Sequence, residues 1–310
     1  MNRDDVVRGG VSRRSAILLL AFVVLAWGLT WPVNKVILQH LSPLWTVALR
    51  SAIATVVLFA ITAWRGQLGL PRRVDLPVVL SITLLHMVGF SVLMAIGLLF
   101  VSTGRSVVLA YTTPLWVTPG ARLFLGERLT ARAIAGVAAG LAGLVVLFNP
   151  LAFDWSNRDA VAGNAALVVA ALLWAASILH IRGHRWHGTP FQLVPWETLL
   201  ATALVSPLAY LIDGPPTPRW SAALVLMLIY AAVPATALAY WAVAEASRSL
   251  PAVTTSLGLL GVPIVSIGTA ALALGERLTP SLIAAVVLVI GGVALGTTGA
   301  PAPRAPAADA

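Results

Sequence analysis

The chain has 310 residues, 59% of them hydrophobic and only 10% charged, with a mean hydropathy of +0.93. Ordinary soluble domains carry about 25% charged residues, so a water-soluble globular protein is excluded. A net charge of +9 would invite a nucleic-acid reading in a soluble protein, but here the basic residues sit in short connections between apolar runs, and no nucleic-acid partner is expected.

The N-terminal segment, residues 1–15, carries Arg3, Arg8, Arg13 and Arg14 ahead of an apolar run, superficially like a secretory signal. The run from Ala16 continues past Trp27 to Leu38 with no convincing small-residue cleavage site. It predicts an uncleaved first helix. Further apolar stretches fall at about 43–64, 76–99, 104–124 and 131–149, then at 161–181, 190–212, 221–244, 250–274 and 280–298. Each supplies on the order of 20 residues, enough for a hydrocarbon core of about 30 Å at 1.5 Å per residue. The polar/apolar alternation of a barrel strand is missing, so the segments are predicted helices. The expected fold is an all-α membrane protein with ten transmembrane helices embedded in a lipid bilayer. The Pro/Ala-rich residues 299–310 are expected to form a disordered cytoplasmic tail.

With the N-terminus inside, the inner segments hold Arg3, Arg8, Arg13, Arg14, Arg65, Arg72, Arg73, Arg122, Arg128, Arg132, Arg182, Arg185, Arg248 and Arg304, against Lys35, Arg105, Arg158, Arg219 and Arg277 outside. That bias predicts both termini on the cytoplasmic side. Cysteine is absent, which removes disulfides, thiol nucleophiles and cysteine metal sites. No glycine-rich phosphate loop with a following lysine appears, so no ATPase and no cofactor are expected.

The segment Gly126-Glu127-Arg128-Leu129-Thr130 recurs as Gly275-Glu276-Arg277-Leu278-Thr279, 149 residues later. At the same offset Pro114 matches Pro263, Ile134 matches Ile283 and Gly143 matches Gly292. Two repeats follow, 16–149 and 158–298. Five helices is an odd number, so the second copy enters the membrane inverted, as in secondary transporters whose site lies near the midplane between halves.

Ala26-Trp27-Gly28, Arg50, Tyr111 to Pro114 and the first Gly-Glu-Arg-Leu-Thr segment, with Leu250-Pro251-Ala252, Pro263 and the second such segment, resemble the drug/metabolite transporter superfamily, and within it the EamA type. The resemblance runs from about Ser15 to Gly299. It implies secondary transport in the cytoplasmic membrane, export of a small metabolite or drug more than import, and coupling to protons or to exchange. It does not fix the cargo.

Charge inside a bilayer is costly, about 2.5–3.5 kcal/mol at the centre on insertion scales, so Arg50 needs a partner or a wet cavity. With the first and sixth helices aligned at an offset of 147, Trp27 falls on Trp174 and Arg50 on Glu197. Arg50 and Glu197 are therefore expected to face a central cavity, the former drawing an anionic group and the latter taking a proton or an ammonium; a structural ion pair is the competing reading. Trp27 and Trp174 are candidate cavity walls. Tyr111 and Thr112 are expected beside them, with Pro114 and Pro263 as gate or hinge positions. Glu127 and Glu276 are expected at the interface, anchoring helix ends and pairing with Arg128, Arg277 or nearby backbone. His184 and His187 lack the support a metal site needs. Gly136, Gly140, Gly143, Gly291 and Gly292 predict close-packed helix faces, within the chain or in a homodimer.

An intramembrane enzyme would need an acid/base or nucleophile constellation, and Arg50, Glu197 and His86 make none that is recognisable. A lipid flippase or a non-transporting scaffold shares the hydropathy and the repeat. A scaffold needs no buried charge, and a flippase favours a laterally open groove. The expectation is a secondary active transporter of a small solute working by alternating access.

Overall fold

The computed structural model describes residues 11–149 and 154–298. The expectations for the first ten residues and for the tail from 299 lie outside it. Among the described residues the chain is all helix, and nine helical segments are long and apolar enough to cross a bilayer. They comprise α1 (Arg13–Ile37), α2 (Pro43–Trp64), the compound segment Leu76–Phe100, α7 (Ala131–Phe148), α8 (Arg158–Gly183), Phe191–Asp213 within α9 (Pro190–Asp213), Ala222–Ser249, Thr254–Leu274 and Pro280–Thr297 within α14 (Pro280–Thr298). Side-chain caps fix where several begin. Ser12, Ser42, Asn157 and Ser221 accept amides of the first turns of their helices, and Thr189 with Gln192 forms a reciprocal capping box.

The fourth predicted helix is two. α5 (Thr103–Ala110) and α6 (Thr113–Leu125) are separated by a turn at Tyr111 and Thr112, so neither is long enough to span alone. The cause is local: Pro114 has no N–H to return to Ala110, and the hydroxyls of Thr112 and Thr113 bond back to the carbonyls of Leu109 (2.6 Å) and Ala110 (2.7 Å). The later counterpart breaks at the matching place, between α12 (Ala252–Leu259) and α13 (Gly261–Leu274), just ahead of Pro263. Both prolines thus sit in the first turn of the second half-helix, where a missing donor costs little. The third and eighth spans each carry a π segment, Ile82–Phe90 between α3 (Leu76–Ser81) and α4 (Ser91–Phe100), and Val233–Leu238 between α10 (Ala222–Ala232) and α11 (Ala239–Ser249).

The duplicated motif is a helix–helix junction. Gly126 and Gly275 both take φ of 67°, a left-handed conformation that ends the helix without a Cβ penalty. The next amides, of Glu127 and Glu276, return to Ala121 and Ala270. Thr130 and Thr279 then accept the amides of Ala133 (3.1 Å) and Leu282 (3.2 Å) to start the following helix. Glycine stops, threonine starts, and the glutamate between them is free for other work.

The equivalent helices meet each other. α7 packs on α14, and α2 on α9. A Cβ added at Gly136 would stand 2.4 Å from the Gly292 carbonyl oxygen, and one at Gly292 would stand 2.5 Å from that of Gly136. These glycines, with Gly140 and Gly143, are used within the chain. Between α2 and α9 the hydroxyls of Thr55 and Thr202, 147 residues apart, lie at 3.5 Å.

Candidate functional site

Between these helices lies a cavity of about 100 Å³ whose walls come from both parts of the chain. α1 contributes Trp27, Trp31 and Asn34; α2 contributes Arg50 and Ser51. The third span adds His86, Met87, Phe90 and Ser91, the turn between α5 and α6 adds Tyr111, and the later elements supply Trp174, Thr198, Thr236 and Tyr240. The aromatic rings interlock. His86 stacks on Trp174 at 5.3 Å with an interplanar angle of 3°, Tyr111 meets Trp174 edge-on at 6.2 Å, and Trp27 meets Tyr240 edge-on at 6.1 Å. Trp27 also donates its indole N–H to the Ala235 carbonyl (3.0 Å) and Tyr240 its hydroxyl to Met87 Sδ (3.8 Å).

Arg50 is the fixed charge of this chamber. Its guanidinium donates to Ser91 Oγ at 2.8 Å, leaving donors of the planar fork directed elsewhere. Among the described residues no ion pair joins it to Glu197, so the competing reading of a structural ion pair gives way to a neutral hydroxyl partner on α4. Glu197 is 3% exposed and adjoins the chamber rather than lining it, since Thr198 is the residue of that turn on its wall. Arg50 and Glu197 both act electrostatically on Tyr240, so the two charges share one neighbourhood. Asn34 is 2% exposed and its Oδ1 has no hydrogen-bond partner among the described residues, an expensive state for a polar atom unless a ligand or water uses it.

Of the predicted site residues, Arg50, Trp27, Trp174 and Tyr111 converge on the cavity. Thr112 does not. It is buried in the helix break, where it accepts from Trp116 Nε1 at 3.2 Å. Pro114 and Pro263 stand beyond the wall. Glu127 and Glu276 sit at opposite ends of the bundle from each other; Glu127 meets Arg182 at 2.6 Å rather than Arg128, and Glu276 meets backbone amides rather than Arg277. In the sequence His86 is weighed only as part of an enzyme constellation, and Tyr240, Asn34 and Ser91 are not singled out. His86 carried the one usable signal, an ionisable residue within an apolar span.

The sequence profile of the EamA-like transporter family matches this chain twice, over residues 14–149 and 161–298. The chain belongs to the EamA-like transporter family. This EamA-like chain is a multi-pass membrane protein of transporter type. It is 25% identical over 276 residues to "Uncharacterized transporter YoaV" of Bacillus subtilis (strain 168), covering 89% of this chain and 94% of that protein. It is 29% identical over 306 residues to "Probable amino-acid metabolite efflux pump" of Escherichia coli (strain K12), covering 93% and 96%. A solved crystal structure shares the fold, with a TM-score of 0.66 at 24% identity over 92% of this chain and 99% of the other.

Proposed function

We propose that this protein is a secondary active transporter that exports a small metabolite of the amino-acid class by alternating access, from a site bounded by Arg50, Trp27, Trp174, Tyr111 and Tyr240. In this reading the chain is two inverted repeats, 16–149 and 158–298, each of five helices, in the cytoplasmic membrane with both termini cytoplasmic. The observation that carries it is the chamber itself: a part-buried guanidinium with spare donors, ringed by aromatic faces contributed by both parts of the chain. A carboxylate fits the fork of Arg50, and an apolar or cationic remainder fits the rings. The relative named as an amino-acid metabolite efflux pump supports the cargo class. Glu197, buried without an ion-pair partner among the described residues, is the proposed proton carrier.

The test is uptake into proteoliposomes under an imposed pH gradient, with labelled amino acids screened as cargo. Gradient-driven flux is expected, abolished in Arg50→Ala and uncoupled from the gradient in Glu197→Gln. Flux unchanged in both variants at normal abundance would overturn the assignment of the site.

A further inference from the structure

The two Gly-Glu-Arg-Leu-Thr junctions have the same backbone, yet their carboxylates are differently engaged. Glu276 accepts the backbone N–H of Thr103 at Oε1 (2.7 Å) and of Gly104 at Oε2 (3.0 Å). These are the first two amides of α5, which no intrahelical carbonyl can satisfy and which form the positive end of that half-helix. Beside it, Lys35 on α1 donates its ammonium to the carbonyls of Leu98 and Val101, at the end of α4, and lies within the electrostatic reach of Glu276. Glu276 and Lys35 together hold the junction of α4 and α5 against α1 and α13.

At the other end the equivalent groups are arranged otherwise. Glu127 turns both oxygens to the Arg182 guanidinium, at 2.6 and 2.8 Å, in a pair that is more than two-fifths exposed on both sides (43% and 42%). Arg182 stands 147 residues after Lys35, the offset that relates Trp27 to Trp174. The amides equivalent to those of Thr103 and Gly104 are those of Ala252 and Val253, which open α12. α5 packs against α13, whereas the reciprocal pair, α6 and α12, makes at most a marginal contact among the described residues.

We propose that Glu276 and Glu127 are reciprocal locks, each holding one end of the transport pathway shut by capping the opposing repeat's half-helix, and never both at once. The inference rests on the alternating-access reading above. In the conformation described, Glu276 is engaged. In the opposite one, Glu276 releases α5 while Glu127 takes the amides of Ala252 and Val253, and Arg182 turns to the carbonyls at the end of α11 as Lys35 now does at the end of α4. The duplicated glutamate then has a reason the junction itself does not supply: glycine and threonine already end and start the helices, and the carboxylate is the part that grips the other repeat.

The chain contains no cysteine, so spin labels on introduced cysteines report without background. In the full-length protein in liposomes, one labelled pair at Leu99→Cys and Leu278→Cys reads the Glu276 end. A second at Ser247→Cys and Leu129→Cys reads the Glu127 end; all four positions are exposed. Electron–electron distance distributions are measured for each pair. Glu276→Ala is expected to lengthen the first distance and shorten the second, changing the ratio of the two populations roughly tenfold or more, as expected for losing two hydrogen bonds to a charged group. Adding Glu127→Ala should abolish the shortening at the second pair. Glu276→Gln, which keeps the shape of the side chain, should act in the same direction and guards against a folding defect in the alanine variant. Shortening that persists in the double variant, or no change at either pair, overturns the locks. Lengthening at the first pair with no response at the second in any variant overturns the alternating-access reading as well.

Discussion

Arg50 illustrates how a charge within a span is held without a direct ion pair among the described residues. Its Ser91 partner is neutral, so donors of the fork stay available inside the chamber, where low dielectric strengthens electrostatic interactions. In the proposed reading that arrangement suits an arriving carboxylate. Asn34 repeats the logic on a smaller scale, with an oxygen that is buried and unpartnered among the described residues on the cavity wall. Asn34→Ala is expected to raise the solute concentration for half-maximal flux by about 3- to 10-fold, the worth of one hydrogen bond, with protein abundance unchanged. The measurement is concentration-dependent uptake in proteoliposomes, and an unaltered half-saturation would remove Asn34 from the site.

Among elements, the α7–α14 contact sets the distance between the two parts of the chain, because backbone oxygen occupies the space a Cβ would need at Gly136 and Gly292. Gly292→Ala must push α14 outward, and a loss of about 1–3 kcal/mol follows from overpacking, read as a lower melting temperature in detergent. The α8–α9 connection is tied down differently. Asp75, fully buried ahead of α3, accepts from His184 Nε2 (2.8 Å), from the amides of His187 (3.2 Å) and Gly188 (3.1 Å), and has His187 Nδ1 at 3.7 Å. Burial works against the charged form, but the hydrogen bonds from His184, His187 and Gly188 outweigh it and hold this carboxyl below the usual carboxylate range. A depressed carboxyl stabilises the fold above its unfolded value of about 4 and ceases to do so as pH falls through the folded value. Asp75→Asn should therefore melt at a lower temperature than the parent at pH 7, with the gap narrowing as the pH is taken below 4. A gap that stays constant with pH would show that the tie does not depend on charge.

Over the whole molecule, the two junctions lie at opposite ends of the bundle, one beside the end of α1 and the other beside the end of α8. The proposed inverted-repeat topology predicts opposite sidedness for equivalent residues. In intact cells, a membrane-impermeant maleimide should label the Arg277→Cys protein and leave the Arg128→Cys protein unmodified until the membrane is opened. Labelling of both from one side would contradict inversion. The same inversion gives the locks their reciprocity, since two equivalent carboxylates facing opposite sides cannot both be engaged if the halves rock as rigid bodies.

Hydropathy, the positive bias of alternate connections and the 149-residue recurrence were legible in the sequence because each is a property of neighbouring residues or of simple periodicity. So were the need of Arg50 for a polar partner, since a charge in an apolar run is costly, and the matched positions of Trp27 and Trp174, which both line the cavity. Tertiary structure decided what those residues touch. The break at Tyr111 and Thr112 is by contrast local in cause, in Pro114 and the hydroxyls of Thr112 and Thr113 turning back to the backbone, yet the continuous apolar run concealed it and one span was expected where two short helices stand. Ser91 as the partner of Arg50, Arg182 as the partner of Glu127 and the α5 amides as the partners of Glu276 all lie 41 or more residues away along the chain. Contacts at that separation are set by how helices cross. No local pattern encodes them, and the difference between two junctions of identical sequence exists only in the packed molecule.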